Sequence, residues 1–234
     1  MMEEGRKYSW EDFRKIIARL RAPEGCPWDR EQTHESLKGC MLEEAYEVVD
    51  GIRILQETGS GANLCEELGD VLMQVFLHSQ IAEEEGVFTL DEVVDGISRK
   101  MIYRHPHVFG DVSADTPDQV LKNWEELKQK EKGNPSPEQE IAAIPHCLPA
   151  LIRTQKVQKK MERYYDVFQN DADSYQEARE ALDGLKKEED AGKAGELAGQ
   201  LLLHLCNLLR LKNISGEQVL TEALEKLLKL YEIV

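Results

Sequence analysis

The sequence predicts an all-α fold built as two tandem four-helix units, the second a degenerate copy of the first. Proline is sparse and strand-like alternation is nearly absent, both typical of helical proteins. Segments of the first half recur in the second, which indicates an internal duplication. The stretch KGNPSPEQE, with its glycine and two prolines, is typical of a linker. We therefore expect a first domain at 1–131, a linker at 132–148 and a second domain at 149–234.

The predicted helices follow from caps and breakers along the chain. A first helix is expected at about 9–20 and a second at about 29–55, where Asp29 and Gln32 resemble a capping box. The flexible ETGSGAN segment interrupts the pattern before a third helix at about 64–84. Thr89 and Glu92 form a capping-box signal for a fourth helix that continues to about residue 104. A further helix, at about 117–130, begins with a proline, which suits a first helical turn.

The duplication is visible in three pairs of segments. GVFTLDEVVDGISRK at 86–100 matches KNISGEQVLTEALEK at 212–226, with Thr89 aligned on Ser215. ELGDVLMQ resembles LAGQLLLH, and EEAYEVVDG resembles REALDGLKK. The second half is therefore expected to repeat the helices of the first.

Composition limits the possible partners. Acids outnumber bases 45 to 29, and the net charge of −16 disfavours nucleic acid polymers and anionic membranes. The five cysteines are odd in number and scattered, and no basic-then-apolar leader opens the chain. These features predict a cytoplasmic protein.

Acidic residues on the second and third helices are the candidate site. Glu43, Glu44 and Glu47 lie opposite an apolar stripe, so that helix alone favours a solvated face over a site. The third helix is apolar nearly all round, and its narrow polar strip consists of Glu67, Asp70, Gln74 and His78. Such a helix is expected to be buried, and buried carboxylates need a cation or a metal ion beside them.

The residue types favour Mg²⁺, with Mn²⁺ as a substitute. Carboxylates without a paired His or Cys are hard oxygen ligands, which disfavour Zn²⁺. A di-iron bundle would want Glu-x-x-His, whereas Glu67 is followed by Asp70 and Glu44 by Glu47. Because Mg²⁺ held by few carboxylates usually takes phosphate oxygens as further ligands, the pattern points toward phosphate chemistry.

The combination of Glu43-Glu44-x-x-Glu47 with Glu67-x-x-Asp70 resembles the signature of MazG-type nucleoside triphosphate pyrophosphohydrolases. The resemblance extends over GCPWDREQT, RHPHVFGD, NWEELK and IPHCLPALIRTQKVQKK, and so covers nearly the whole chain. It implies an all-α homodimer of house-cleaning type that hydrolyses a nucleoside triphosphate to the monophosphate and pyrophosphate with Mg²⁺.

The resemblance also implies roles for individual residues. The metal ligands would be Glu44, Glu47, Glu67 and Asp70, while Glu43 would be a further ligand or a group that orients water. The substrate-binding residues would be Lys100, Arg104, Trp124 and Lys128. A solvated cation pair and a packing role for the tryptophan are the alternatives for these positions.

The second repeat departs from this pattern. Arg179 replaces Glu43, Leu197 and Gln200 replace the Glu-x-x-Asp pair, and Leu230 replaces Arg104. We expect this repeat to be catalytically silent. The alternatives to an enzyme are a regulatory or interaction module that senses nucleotides and an inert dimeric scaffold.

Overall fold

All regular elements within residues 7–233, the part of the chain that the computed structural model describes, are α-helices. Residues 1–6 and 234, where the predicted domains begin and end, lie outside the described residues. The all-α prediction is confirmed. The twelve helices of the described part are α1 (Trp10–Arg21), α2 (Pro27–Glu31), α3 (Lys38–Thr58), α4 (Ala62–Glu84), α5 (Leu90–Arg104), α6 (Pro106–Phe109), α7 (Pro117–Glu131), α8 (Pro137–Ala142), α9 (Ala150–Tyr165), α10 (Asp171–Leu185), α11 (Ala191–Leu211) and α12 (Gly216–Leu230).

The chain divides into two units, with the division between Leu127 and Lys128 inside α7. The first unit holds α1 to α6 and most of α7, and the second holds α8 to α12. The predicted domain boundaries, at 131 and 149, stay a prediction.

Two of the predicted helix starts rest on local hydrogen bonds that the sequence encodes. Thr89 caps α5 by accepting from the backbone N–H of Glu92, and the Glu92 carboxylate accepts from the backbone N–H of Thr89 in return (2.8 Å). The capping box predicted there is confirmed. Ser9 and Asp12 form the same reciprocal pair at the start of α1.

The single helix predicted at 29–55 is wrong, because α2 ends at Glu31 and α3 begins only at Lys38. Thr33 and Ser36 form a reciprocal turn between them: the Thr33 N–H donates to Ser36 Oγ (2.9 Å), and the Ser36 N–H donates to Thr33 Oγ1 (3.1 Å). Such hydrogen bonds compete with the helical ladder and divide it. Asp29 consequently lies inside α2, and Gln32 caps its C-terminus.

The core of the first unit surrounds the C-terminal half of α4. Phe76, Leu77 and Ile81 are buried together with Ile17 of α1 and Leu37 before α3. Leu90, the first residue of α5, closes the same cluster. The first unit is thus packed at the end of α4 that is distant from Glu67 and Asp70.

The helices α3 and α4 form a long antiparallel hairpin that positions the candidate site. Gly59 ends α3 in the left-handed conformation (φ 74°), which lets the chain reverse within the short link to α4. At Gly51 the two backbones approach so closely that a β-carbon would lie 3.0 Å from Leu64 Cα. The hairpin therefore brings Glu44 beside Asp70.

The expected burial of all of α4 is wrong for its first half. Leu68 is 52% exposed, and Glu67 and Asp70 are only half-buried. The apolar stripe of α3 is exposed as well, with Tyr46 at 54% and Val49 at 61%. The reason is that the buried cluster formed with α1 and the turn before α3 lies at the C-terminal half of α4 and includes none of the described residues of its first half.

The second unit repeats the hairpin with α10 and α11, and α12 follows it as α5 follows α4. Ser215 caps α12 by accepting from the backbone N–H of Gln218, and Thr89 accepts from Glu92 at the same place on α5. Inside this unit the amide of Asn207, which is fully buried, donates to Ser174 Oγ (2.7 Å). The order of these helices matches that of the first unit, whereas Asn170 and Asp190 cap α10 and α11 and no side chain caps α3 or α4.

The predicted linker contains the short helix α8, which packs on α9. Glu140 of α8 forms an ion pair with Lys160 and accepts hydrogen bonds from Tyr164 (2.6 Å) and Gln129 (2.9 Å). Its burial raises the pKa of Glu140, but these hydrogen bonds outweigh the burial and lower the pKa to about 2. The segment is anchored, although its composition is typical of a flexible connection.

Candidate metal centre

Three carboxylates converge across the α3–α4 hairpin. Glu44 of α3 and Glu67 and Asp70 of α4 each offer an oxygen, and these oxygens all lie within 4.8 Å of one another. Within residues 7–233 no other three His, Cys, Asp or Glu side chains meet in this way. The spacing explains the convergence, because residues three apart share a helix face and the hairpin register places Glu44 opposite them.

The pKa values of two of these acids show the cost of the convergence. Partial burial, followed by the charges of Asp70 and Glu47, raises the pKa of Glu44. Partial burial and the charge of Glu47 also raise the pKa of Glu67, against a lowering by a hydrogen bond from Asn63. No Lys or Arg of the described part of the chain forms an ion pair with these acids, so the cluster is electrostatically uncompensated.

Glu47 lies at the edge of the cluster, and Glu43 lies outside it. Glu47 is exposed, but its carboxylate is close enough to influence both Glu44 and Glu67. Glu43 is exposed one position before Glu44, and no described contact joins it to the other acids. The structure therefore brings together three of the four predicted metal ligands, with Glu47 beside them, and leaves the accessory acid apart.

The donor set fits a hard divalent cation. Mg²⁺ binds oxygen at about 2.0–2.1 Å, so opposite ligands lie about 4 Å apart. Oxygens within 4.8 Å of one another need only small side-chain adjustments to reach that spacing. Burial and, after it, repulsion by Asp70 and Glu47 raise the pKa of Glu44, and a bound cation would offset the repulsion.

The predicted substrate-binding residues lie on α5 and α7. Arg104 is 8% exposed, and its guanidinium lies over the Trp124 ring, 5.2 Å from its centre. The His105 ring meets the same indole edge-on at 4.9 Å, which makes Trp124 a packing residue in this structure. Lys100 is half-buried one turn before Arg104, and Lys128 belongs to the second unit. No described contact joins any of the four to the acidic cluster.

The sequence reasoning missed two polar contacts of α4, one beside the site and one farther along the helix. Asn63 donates from Nδ2 to Glu67 Oε1 (2.8 Å), and the only sequence signal for it is an amide four residues before a glutamate on a helix. His78, predicted on the polar strip of α4, instead bonds through Nδ1 to Nδ1 of His34 (2.8 Å). Burial, followed by the charge of His34, lowers the pKa of His78. Nothing in the sequence reveals this contact, because His34 lies 44 residues away in the chain.

The equivalent hairpin of the second unit carries little of this cluster. Glu180, aligned with Glu44, accepts a hydrogen bond from Gln176 (2.5 Å). Leu197 and Gln200 stand where the first hairpin has Glu67 and Asp70. The silence of this repeat stays a prediction that these residues support.

Among the described residues, no helix is both long enough and apolar enough to span a membrane.

Comparison with known proteins adds a family and its relatives. The sequence profile of the MazG nucleotide pyrophosphohydrolase domain matches residues 32–109, which include the whole acidic cluster. A Thermotoga maritima protein named nucleoside triphosphate pyrophosphohydrolase/pyrophosphatase MazG is 37% identical over 95% of this chain and 84% of its own length. A nucleoside triphosphate pyrophosphohydrolase of Escherichia coli K12 is 38% identical over 90% of this chain and 81% of its own. The uncharacterized protein YabN of Bacillus subtilis is 49% identical over 65% of this chain, a match that spans 30% of YabN.

Proposed function

This chain belongs to the MazG nucleotide pyrophosphohydrolase family, and from that premise we propose that it hydrolyses nucleoside triphosphates to nucleoside monophosphate and pyrophosphate with Mg²⁺. The observation that carries the proposal is the meeting of Glu44, Glu67 and Asp70 across the α3–α4 hairpin. Relatives of similar length bear the name of this activity, which makes the protein a hydrolase.

The four clustered acids would hold the metal ion, and Mn²⁺ would replace Mg²⁺ because both prefer carboxylate oxygens. A bound ion supplies charge neutralisation at the attacked phosphorus and lowers the pKa of a bound water. Water oxygen bonds to the α-phosphorus while the bond between that phosphorus and the α–β bridging oxygen breaks, so pyrophosphate leaves. Glu43, next to the cluster on α3, would orient the water or complete the ligand set.

Lys100 and Arg104 would bind the phosphate groups. They lie one turn apart on α5, a spacing that presents two cations to one polyanion. Trp124 would contact the nucleotide in addition to packing on Arg104, and Lys128 follows it one turn later on α7.

The exposed apolar stripe on α3 supports a homodimer. Leu42, Tyr46 and Val49 are 53%, 54% and 61% exposed, although a stripe of this kind ordinarily faces a core. A second copy would cover the stripe and enclose the acidic cluster next to it. Light scattering of the purified protein would show a mass twice that of the chain, and a monomer at micromolar concentration would contradict this part of the proposal.

The activity is tested by measuring pyrophosphate release from a panel of ribo- and deoxynucleoside triphosphates with Mg²⁺. Asp70→Asn should abolish turnover while keeping the shape of the side chain. Glu180→Gln, at the aligned position of the second repeat, is the matched control and should leave turnover unchanged. An Asp70→Asn enzyme as active as the parent would overturn the site assignment.

A nucleotide-sensing module is the second candidate. The decay of the second repeat at Leu197 and Gln200 favours it, because proteins with regulatory roles can keep a fold whose site has been lost. Binding of nucleotide with thermal stabilisation and without turnover across the panel would support the sensor.

A further inference from the structure

We propose that Asn63 is a positioning residue for the metal centre, holding the Glu67 carboxylate in the orientation that a cation requires. The inference rests on the proposed function only in taking the acidic cluster as a metal site.

The contact that carries the inference is a direct hydrogen bond. Asn63 Nδ2 lies 2.8 Å from Glu67 Oε1, an ordinary length for an amide donating to a carboxylate. The two residues are one turn apart in the first two turns of α4, so the bond forms within a single helix. The carboxylate of Glu67 thus accepts a hydrogen bond from an uncharged side chain that is not one of the clustered acids.

The amide of Asn63 is itself held in place by α3. A β-carbon at Gly51 would lie 3.1 Å from Asn63 Oδ1, so the amide oxygen sits against the bare backbone of α3. With the oxygen turned toward Gly51, the NH₂ group faces Glu67. The close approach of the two helices thereby fixes which end of the amide meets the ligand.

The orientation of Glu67 matters because repulsion from the neighbouring carboxylates favours its rotation away from the cluster. Its neighbours in the cluster, Glu44, Glu47 and Asp70, are acids, and a half-buried glutamate can lower this repulsion by rotating toward solvent. The hydrogen bond from Asn63 opposes this rotation before any ion arrives. Partners of this kind, hydrogen-bonded to a metal ligand, typically contribute about 10- to 100-fold to metal affinity.

The test measures Mn²⁺ binding to the full chain by calorimetry, in the absence of nucleotide. Asn63→Ala should weaken Mn²⁺ binding about tenfold or more. Asn63→Gln, which keeps an amide donor, should restore most of the affinity. Alanine is the best helix former, so loss of folding is not expected at this position.

Gln80→Ala is the matched control. Gln80 donates to Glu84 Oε1 (3.1 Å), the same amide-to-glutamate contact one turn apart on the same helix but outside the cluster. It should leave Mn²⁺ affinity unchanged. Equal Mn²⁺ affinity of Asn63→Ala and the parent would overturn the inference, and so would equal losses in Asn63→Ala and Gln80→Ala.

Failure of the positioning role is distinguishable from failure of the proposed function. If the parent releases no pyrophosphate but Asn63→Ala still weakens Mn²⁺ binding, the inference stands and the proposed activity falls. If the parent is active and Asn63→Ala binds Mn²⁺ as tightly as the parent, the positioning role falls and the activity stands.

Discussion

Replacing Glu44 by glutamine should stabilise the metal-free protein while preventing metal binding. Glu44 meets Asp70 within 4.8 Å, and no cation of the described residues offsets the two charges. Glutamine keeps the shape of the side chain and removes its charge, so the repulsion disappears while the packing of the hairpin stays the same.

The size of the effect follows from the distance. Two unit charges 4.8 Å apart repel by about 0.9 kcal/mol in water and about 3.5 kcal/mol at an effective dielectric constant of about 20. Because both side chains are half-buried, the value lies near the lower end. We expect Glu44→Gln to raise the free energy of unfolding of the first unit by about 1 kcal/mol at low salt. Most of this gain should vanish in about 1 M salt, where the Debye length is about 3 Å.

The gain should also depend on pH. Since the folded-state pKa of Glu44 is raised, its stabilising contribution is fully present below the ordinary glutamate pKa and is lost as the pH rises through the raised value. Glutamine does not titrate, so its advantage over the parent should be largest at pH 8. The advantage should shrink as the pH falls through the raised pKa of Glu44.

The assay is urea unfolding with a chelator at pH 8, following the transition that Mg²⁺ shifts in the parent. Mg²⁺ should stabilise the parent by mass action and leave Glu44→Gln unaffected. Glu43→Gln is the matched control, because Glu43 is exposed and outside the cluster. A Glu44→Gln protein that is less stable than the parent without metal would refute the reasoning, and so would an equal gain in Glu43→Gln.

Three further predictions concern packing, a buried ion pair and substrate affinity. Gly51→Ala should lower the free energy of unfolding by about 1–2 kcal/mol, because its β-carbon meets backbone at 3.0 Å. Gly39→Ala, whose β-carbon would enter open space, should raise the free energy of unfolding by about 1 kcal/mol in the same urea titration. Glu140→Gln should destabilise the second unit by about 3 kcal/mol at pH 7. This loss of stability should fade as the pH falls from the ordinary glutamate pKa toward about 2, and an unchanged urea midpoint would contradict the prediction. Lys100→Ala should raise KM for the nucleotide about tenfold with kcat nearly unchanged, and the neighbouring Arg99→Ala should change neither in steady-state kinetics.

Local signals in the sequence predict much of this structure. The capping pair at Thr89 and Glu92 acts over three residues, so the sequence places the start of α5 correctly. The break at Thr33 was missed because a turn made by two hydroxyl side chains looks, in sequence, like part of a continuous helix. A local hydrogen-bonding motif can be predicted from sequence when the residues involved have one preferred arrangement.

The sequence predicts which residues form the site better than it predicts which residues surround them. Glu67 and Asp70 share a face by spacing alone, and the structure places Glu44 against them. Leu68 is exposed although its helix is apolar nearly all round, because a helical wheel shows which faces are apolar and not which are covered. Asn63 contacts a ligand through a side-chain orientation that Gly51 on another helix decides, which no periodicity reveals.

The α3–α4 hairpin has a consequence for how the site arises during folding. Glu44 and Asp70 are 26 residues apart in the chain and are joined by a short reversal after Gly59, so the ligands gather through local contacts. Loop closure over so short a distance costs little entropy and is fast. The acidic cluster therefore depends on contacts within a single hairpin, all of whose residues precede the second unit in the chain. The hairpin α10–α11 keeps the same path with Leu197 and Gln200 in place of Glu67 and Asp70, so the path of the chain does not require the complete set of acids.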